Sequence, residues 1–350
     1  MRHSPTATLV EVKPGNFLDG EFDSPPSPPE KRAAFRPNFA GQKAAHMALV
    51  TDTHTMFTAP KVLRLPHNPI LVPGMDSRIG NNLNGPSLIK VPKWVENPLG
   101  QYYLYFAHHD GHFIRLAYSD KLTGPWKIHT PGSLDISDTF FTGHVASPDV
   151  HIDEEQQRIL MYFHGSNTRS GAGGKQFTRL AISSNGISFA SRTENLGNPY
   201  FRVFQWNEFH YAIGMPGVLY RSKDGISNFE QGSTLFTPNM RHTALEKRGT
   251  TLWIFFTDVG DTPERIKAAT MDLRVDWNAW HPSGHIDVLK PEKSWEGVGE
   301  VSIPSSRGLV HGAVNQLRDP AIFKEDDKSY ILYSVAGENG IAIAELIYEV

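Results

Sequence analysis

No cysteine occurs in the 350-residue chain, which excludes disulfides and thiolate metal sites outright. Long apolar runs are also missing: nothing approaches the roughly 20 consecutive residues needed to span a bilayer. The N-terminus, MRHSPTATLVEVKPG, has no apolar core of the signal-peptide kind, so a soluble, cytoplasmic protein without a membrane partner is expected. A surplus of charge is lacking too. A net charge of -3 gives no electrostatic case for nucleic acid, whose binding draws on clustered Lys and Arg. Helical periodicity is scarce, and GQKAAHMALV at 41–50 is the best candidate.

What is present is a core-forming composition, 39% hydrophobic and 11% aromatic, enough for most of the chain to fold. Residues 21–40, rich in Pro and polar side chains, read as an extended arm, and residues 1–59 as a whole form an N-terminal extension. From residue 60 onward, short aromatic and β-branched runs alternate with Gly, Asn, Asp and Pro, the signature of strands and turns.

These runs are copies of one another. YYLYFA (102–107), ILMYFH (159–164), EFHYAI (208–213), TLWIFF (251–256) and YILYSV (330–335) are versions of one strand. Each has a strand before it and one after it, and some units add a fourth, such as GPWKIH or ISFASR. Units recurring every roughly 40 to 80 residues predict an all-β, five-bladed β-propeller over 60–350. The last copy ends after its third strand, so KVLRL at 61–65 is expected to pair there and close the ring.

In such a meander, the start of strand one and the turn after strand two share a rim. Aligning the first strands brings Asn84-Gly85, Ala146-Ser147, Pro199-Tyr200, Arg241-His242 and Arg318-Asp319 to one funnel. The turns add His108, His109 and Asp110, then His164, Met215, Asp258 and Glu338. A rim gathering His108, His109, His144, His164 and His242 suits general acid–base chemistry or metal binding near neutral pH. No HExxH spacing supports a metal, although an axial divalent cation such as calcium needs as little as one His plus water. Arg202, Arg241 and Arg318 could clamp a carboxylate or sulfate, or pair with Asp319, Glu338 and Asp149. Tyr200 and Phe201 could stack on a sugar, while Trp126, Trp206, Trp253 and Trp280 read mainly as core between blades.

The first strands NGPSLIKVP, ASPDVHID and LRDPAIF resemble those of five-bladed propeller glycoside hydrolases. These are the arabinanase- and xylosidase-like family 43, the fructosidase families and the anhydrogalactosidase-like family 117. There a carboxylate begins an early first strand, a second tunes it and a third protonates the leaving oxygen. Only Asp319-Pro320 matches the recurring Asp-Pro start well; blade one has Asn84-Gly85-Pro86 and blade four offers His242 in place of a glutamate. The resemblance implies cleavage of an oligo- or polysaccharide. Asp319 would be base or nucleophile, kept ionised by Arg318, with Glu338 or His242 as acid and Asp149 as modulator. Substrate contacts would come from Arg318, Arg241, Arg202, Asn84, His108, His109, His144, His164 and Tyr200.

Two other classes fit the same funnel: a lyase acting on a uronic acid through a His or Tyr base and an arginine clamp, or a propeller that binds sugar without cutting it. The segment before blade one could cap the funnel or mediate a homodimer. The insertions at 165–176 and 302–316 are plausible substrate-shaping loops.

Overall fold

The computed structural model describes residues 57–109, 111–168 and 174–349. The expectations placed on the N-terminal arm, on a helix at 41–50 and on an arm-mediated dimer fall outside these residues, as does Asp110. Five four-stranded antiparallel sheets form the ring, so the predicted propeller is the observed fold. Blade one comprises Asn84–Lys90, Tyr102–Ala107, Phe113–Ser119 and Lys127–Asp135. Blade two comprises His144–Asp153, Arg158–Ser166, Gln176–Ser183 and Ala190–Ser191. Arg202–Trp206, Phe209–Gly214, Val218–Ser222 and Glu230–Thr234 make blade three. Met240–Arg248, Thr251–Asp258, Ile266–Asp272 and Ile286–Leu289 make blade four. Blade five joins Arg318–Glu325, Lys328–Ser334 and Ile341–Ile347 to Lys61–Arg64, which comes from the other end of the chain. Its register, Lys61 opposite Ile347 and Arg64 opposite Ala344, closes the ring as the sequence predicts.

Burial explains why the second strands are so apolar. YYLYFA is buried along its whole length because both faces of a blade pack against neighbours, so alternation gives way to a continuous apolar run. Outer strands such as EQGST are largely exposed. Five apolar clusters fill the spaces between blades; Tyr105, Phe163 and Phe189, for example, sit between blades one and two. Equivalent tyrosines latch successive blades. The Tyr105 hydroxyl donates to the Gly186 carbonyl at 2.7 Å, and Tyr162 donates to Gly225 at 2.5 Å. Inner edges are capped between successive blades: Ser87 Oγ accepts from the Val150 amide, and Asp149 Oδ2 from the Val203 amide. Among the described residues no helix is long and apolar enough to cross a membrane.

One distortion recurs at the top of the inner strands. In blades one, two, four and five the pairing slips between Asn84 and Ser87, Ala146 and Asp149, Arg241 and Ala244, and Arg318 and Ala321. Each slip sets one extra residue on the inner strand, a β-bulge. The residues aligned from sequence have left-handed backbones in all five blades: Gly85 (φ 55°), Ser147 (47°), Tyr200 (67°), His242 (56°) and Asp319 (50°). Four of these are not glycine, and such conformations cost of order 1–3 kcal/mol each unless the surroundings enforce them. The ring enforces them at one level, around one mouth of its pore.

Candidate active site

That mouth opens into a cavity of about 480 Å³, within the range of ligand-binding clefts. Ser147, Tyr200, His242 and Asp319 of the bulge set line it, together with Asn84, His109, His144, His164, Arg241 and Glu338. Both insertions contribute as well, through Ser166, Thr168, Gly174 and Gln176 from one and Arg307 and Gly308 from the other.

Asp319 is buried, and its left-handed backbone turns its carboxylate toward the axis. The Tyr200 hydroxyl donates to Oδ1 at 2.8 Å, whereas Oδ2 has no hydrogen-bond partner. His242 Nε2 lies 3.6 Å from Oδ1, and the Thr257 hydroxyl is 3.3 Å from its Nδ1. Burial, reinforced by the negative charge of Glu338, pushes the Asp319 carboxyl up to about 6.

Glu338 is buried too, but it is surrounded by donors. Oε1 faces His109 Nδ1 at 3.3 Å and accepts from Arg318 Nη1 at 3.2 Å, while Asn82 donates to Oε2. Burial alone would raise this carboxyl. The hydrogen bond and charge of His109, with Arg318, overcome burial and hold it at about 2. Burial opposes the charged form of His109, yet Glu338 raises it above the ordinary range. His242 and His164 are pushed well down, first by burial and then by neighbouring cationic groups, so both rings stay neutral.

The arginines are not an open clamp. Arg241 is fixed by Glu264 at 2.9 and 2.5 Å, and Arg318 by Glu264 at 3.1 Å, by Glu338 and by Gln316 at 3.0 and 2.6 Å. The expectation that Arg318 keeps Asp319 ionised therefore gives way to a different pairing, in which Arg318 serves Glu338 and Glu264. Arg202 lies below the funnel, its guanidinium 4.3 Å from the centroid of Tyr200. Asp149 does not reach the funnel: Oδ2 is 2.8 Å from His151 Nε2 and accepts the Val203 amide, at the opposite mouth. His108 does not line the cavity, and Phe201 packs into the core against Tyr220 and Phe229. Asp258 pairs with Lys267 at 2.9 Å and is not a lining residue.

Glu264, Asn82 and Thr257 are site residues that sequence reading missed, whereas Arg307 and Gln316 lie in the 302–316 insertion expected to shape the site, without having been singled out. Glu264 begins no aligned strand, and nothing in DTPERIK marks it. Among the described residues no three His, Asp or Glu side chains form a metal-holding group, and the buried cation beneath the funnel is Arg202. This donor set does not fit an axial calcium ion, which needs six to eight oxygens.

No family model matches the chain. An uncharacterized protein of Acanthamoeba polyphaga mimivirus is 36% identical over 324 residues, covering 81% of this chain and 90% of that protein. The chain belongs to that protein's family. Solved structures share the fold at much lower identity. A family 43 β-xylosidase/α-arabinofuranosidase from a compost microbial metagenome superposes with a TM-score of 0.55 at 13% identity, covering 83% of this chain and 96% of that one. A glycosyl hydrolase from Bacteroides ovatus gives 0.61 at 12%, covering 83% and 94%. A structure from the GH130 family, mannoside phosphorylases that include glycoside hydrolases, gives 0.59 at 12%, again covering 83% and 94%.

Proposed function

We propose that the chain is a glycoside hydrolase that cleaves a glycosidic bond at the funnel. The observation that carries this reading is a pair of buried carboxylates facing one cavity with contrasting surroundings: burial and Glu338 push Asp319 up, while His109, Arg318 and Asn82 hold Glu338 down against its own burial. Glycoside cleavage needs that division: one carboxylic acid protonates the leaving oxygen, while a carboxylate activates water or attacks carbon. Asp319, protonated below about 6 and with Oδ2 unpartnered, is the acid. Glu338 remains ionised and takes the proton of the attacking water as the new carbon–oxygen bond forms. Tyr200 orients Asp319, while His109, Asn82 and Arg318 fix Glu338. The neutral rings of His164 and His242, on either side of Tyr200 at 5.9 and 5.2 Å, give the cavity an uncharged wall suited to a neutral sugar.

The lyase scheme finds less support. Arg241 and Arg318 are already paired with glutamates, and Tyr200 is pushed well above its ordinary range by burial and then by Asp319, so it is a poor base. Similar folds act on xylosidic, arabinosidic and mannosidic bonds, which sets the first substrates to try. The test is a panel of neutral, uronic and sulfated oligosaccharides incubated with the protein and with Asp319→Asn. New reducing ends with the former and a loss of roughly 10²–10⁴-fold with the latter are expected. An ultraviolet-absorbing unsaturated product, binding without cleavage, or full activity in the variant would overturn the assignment.

A further inference from the structure

Residues 305–308, inside the 302–316 insertion, are bound into the funnel wall by their backbone. The Gly260 amide donates to the Ser305 carbonyl at 3.0 Å, and the Ser305 amide donates to the Asp261 carbonyl at 3.0 Å. Arg241 Nη1 donates to the Ser306 carbonyl at 3.0 Å and Arg318 Nη1 to the Gly308 carbonyl at 3.2 Å. The buried arginines of the site thus grip the chain on both sides of Arg307, which lines the funnel and is itself exposed. Its Nη2 donates to the Pro238 carbonyl, while Nε and Nη1 make no hydrogen bond among the described residues. Nor does Arg307 make an ion pair among them, whereas the other cations that line the cavity do: Arg241 with Glu264 at 2.5 Å and His109 with Glu338 at 3.3 Å.

An accessible guanidinium on a fixed backbone presents a planar fork suited to a carboxylate or a sulfate. Below pH 6, where Asp319 keeps its proton, Arg307 is also the one charge on the cavity wall with no opposite charge beside it among the described residues. We propose that Arg307 selects substrates carrying one anionic group, a uronate carboxylate or a sulfate ester, on a sugar adjoining the one that is cleaved. The depth of the funnel sets that position. Asp319 and Glu338 are each 2% exposed, so an anion lower down would meet the ionised Glu338, whereas Arg307 meets it at the rim. The neutral wall of His164 and His242 is left to the reacting sugar. This selection rests on the hydrolase reading, and binding and cleavage are therefore measured separately.

The test is calorimetric binding of matched trisaccharides of xylose, arabinose and mannose, each neutral, bearing one sulfate, or bearing one glucuronate. Asp319→Asn serves as the background, since it holds substrates uncut and mimics the protonated acid. An anionic member of at least one set should bind about tenfold more tightly than its neutral partner, the worth of one charged hydrogen bond, and high salt should erode the difference. Whether sulfate or glucuronate gains more names the source of the group. Arg307→Gln should bring the anionic affinity down to that of the neutral partner, and Arg307→Lys, which keeps the charge without the fork, should restore part of it. Equal affinity for anionic and neutral members, or a preference undiminished in Arg307→Gln, would overturn the proposal; cleavage of neutral trisaccharides by the parent would then leave the hydrolase reading standing. An Arg307-dependent preference with no new reducing ends from any set would uphold the anion contact and sink the hydrolase reading instead.

Discussion

The two mouths of the pore are made by the same five inner strands, yet they handle charge in opposite ways. At the lower mouth the strands are regular, and Asp149 spends its charge on the Val203 amide and His151. At the upper mouth every blade departs from regular backbone, and Asp319 keeps an oxygen without a partner. A fold concerned only with stability would satisfy Asp319 as it satisfies Asp149. Strain and an unmet carboxyl concentrated at one end are what the proposed hydrolase reading requires of its reacting end.

The largest test of this contrast removes a charge at each end. Glu264→Gln strips two buried arginines, Arg241 and Arg318, of a shared partner. Breaking a buried pair costs about 3–5 kcal/mol, which urea denaturation should register as a lower midpoint. Asp149→Asn retains an oxygen to accept the Val203 amide and should cost clearly less. Equal losses would mean that the upper mouth is no tighter electrostatically than the lower.

Next in size is a dependence on pH. Asp319 is raised from 3.8 to about 6, so the folded chain holds a proton that the unfolded chain has released. Its stabilising contribution is therefore full below the unfolded value of 3.8 and is lost as pH rises through 6, a change of roughly 3 kcal/mol. Glu338 runs the other way: its contribution is present above 4.5 and lost as pH falls through 2. Asn at position 319 cannot ionise and tolerates a left-handed backbone. Between pH 4 and 7 the unfolding free energy of the parent should fall relative to Asp319→Asn, so the variant gains stability where it loses activity. Parallel pH curves would contradict the assignment.

Backbone strain offers a smaller comparison within the bulge set. A Cβ on Gly85 would stand 2.7 Å from the Ser147 Cα, on a backbone that already favours glycine. Gly85→Ala should destabilise by about 1–3 kcal/mol. Ser147→Gly, which relieves the same conformation in the next blade, should be neutral or mildly stabilising. Thermal unfolding of the two variants should move in different directions.

How much of this was legible beforehand follows from burial. The second strands announced themselves because packing on both faces demands unbroken apolar runs, and KVLRL could be placed because the last repeat lacked a partner. Outer strands such as EQGST carried no such signal, being solvated. The aligned pairs did converge on one funnel, since pore-facing positions recur with the repeat. The division of charge among them was hidden. Which arginine serves which carboxylate depends on ångström-scale placement of Glu264, Gln316 and Asn82, residues outside the repeat's aligned positions. Asp149 illustrates the same limit: two residues beyond Ser147 on one strand, it emerges at the other mouth.

The finest test acts on a single hydrogen bond. Tyr200 donates to Asp319 Oδ1, and that bond favours the ionised carboxyl, partly offsetting burial and Glu338. Tyr200→Phe keeps the ring that lies tilted between His164 and His242 but removes the donor. The Asp319 carboxyl should then rise further, and the alkaline limb of kcat/KM, set by the acid that must stay protonated, should move to higher pH by about one unit or less. The stability cost should be about 1 kcal/mol, that of one hydrogen bond. An acid limb moving to higher pH, with the alkaline limb unchanged, would make Asp319 the group that must be ionised, returning it to the role of base and leaving Glu338 to position it.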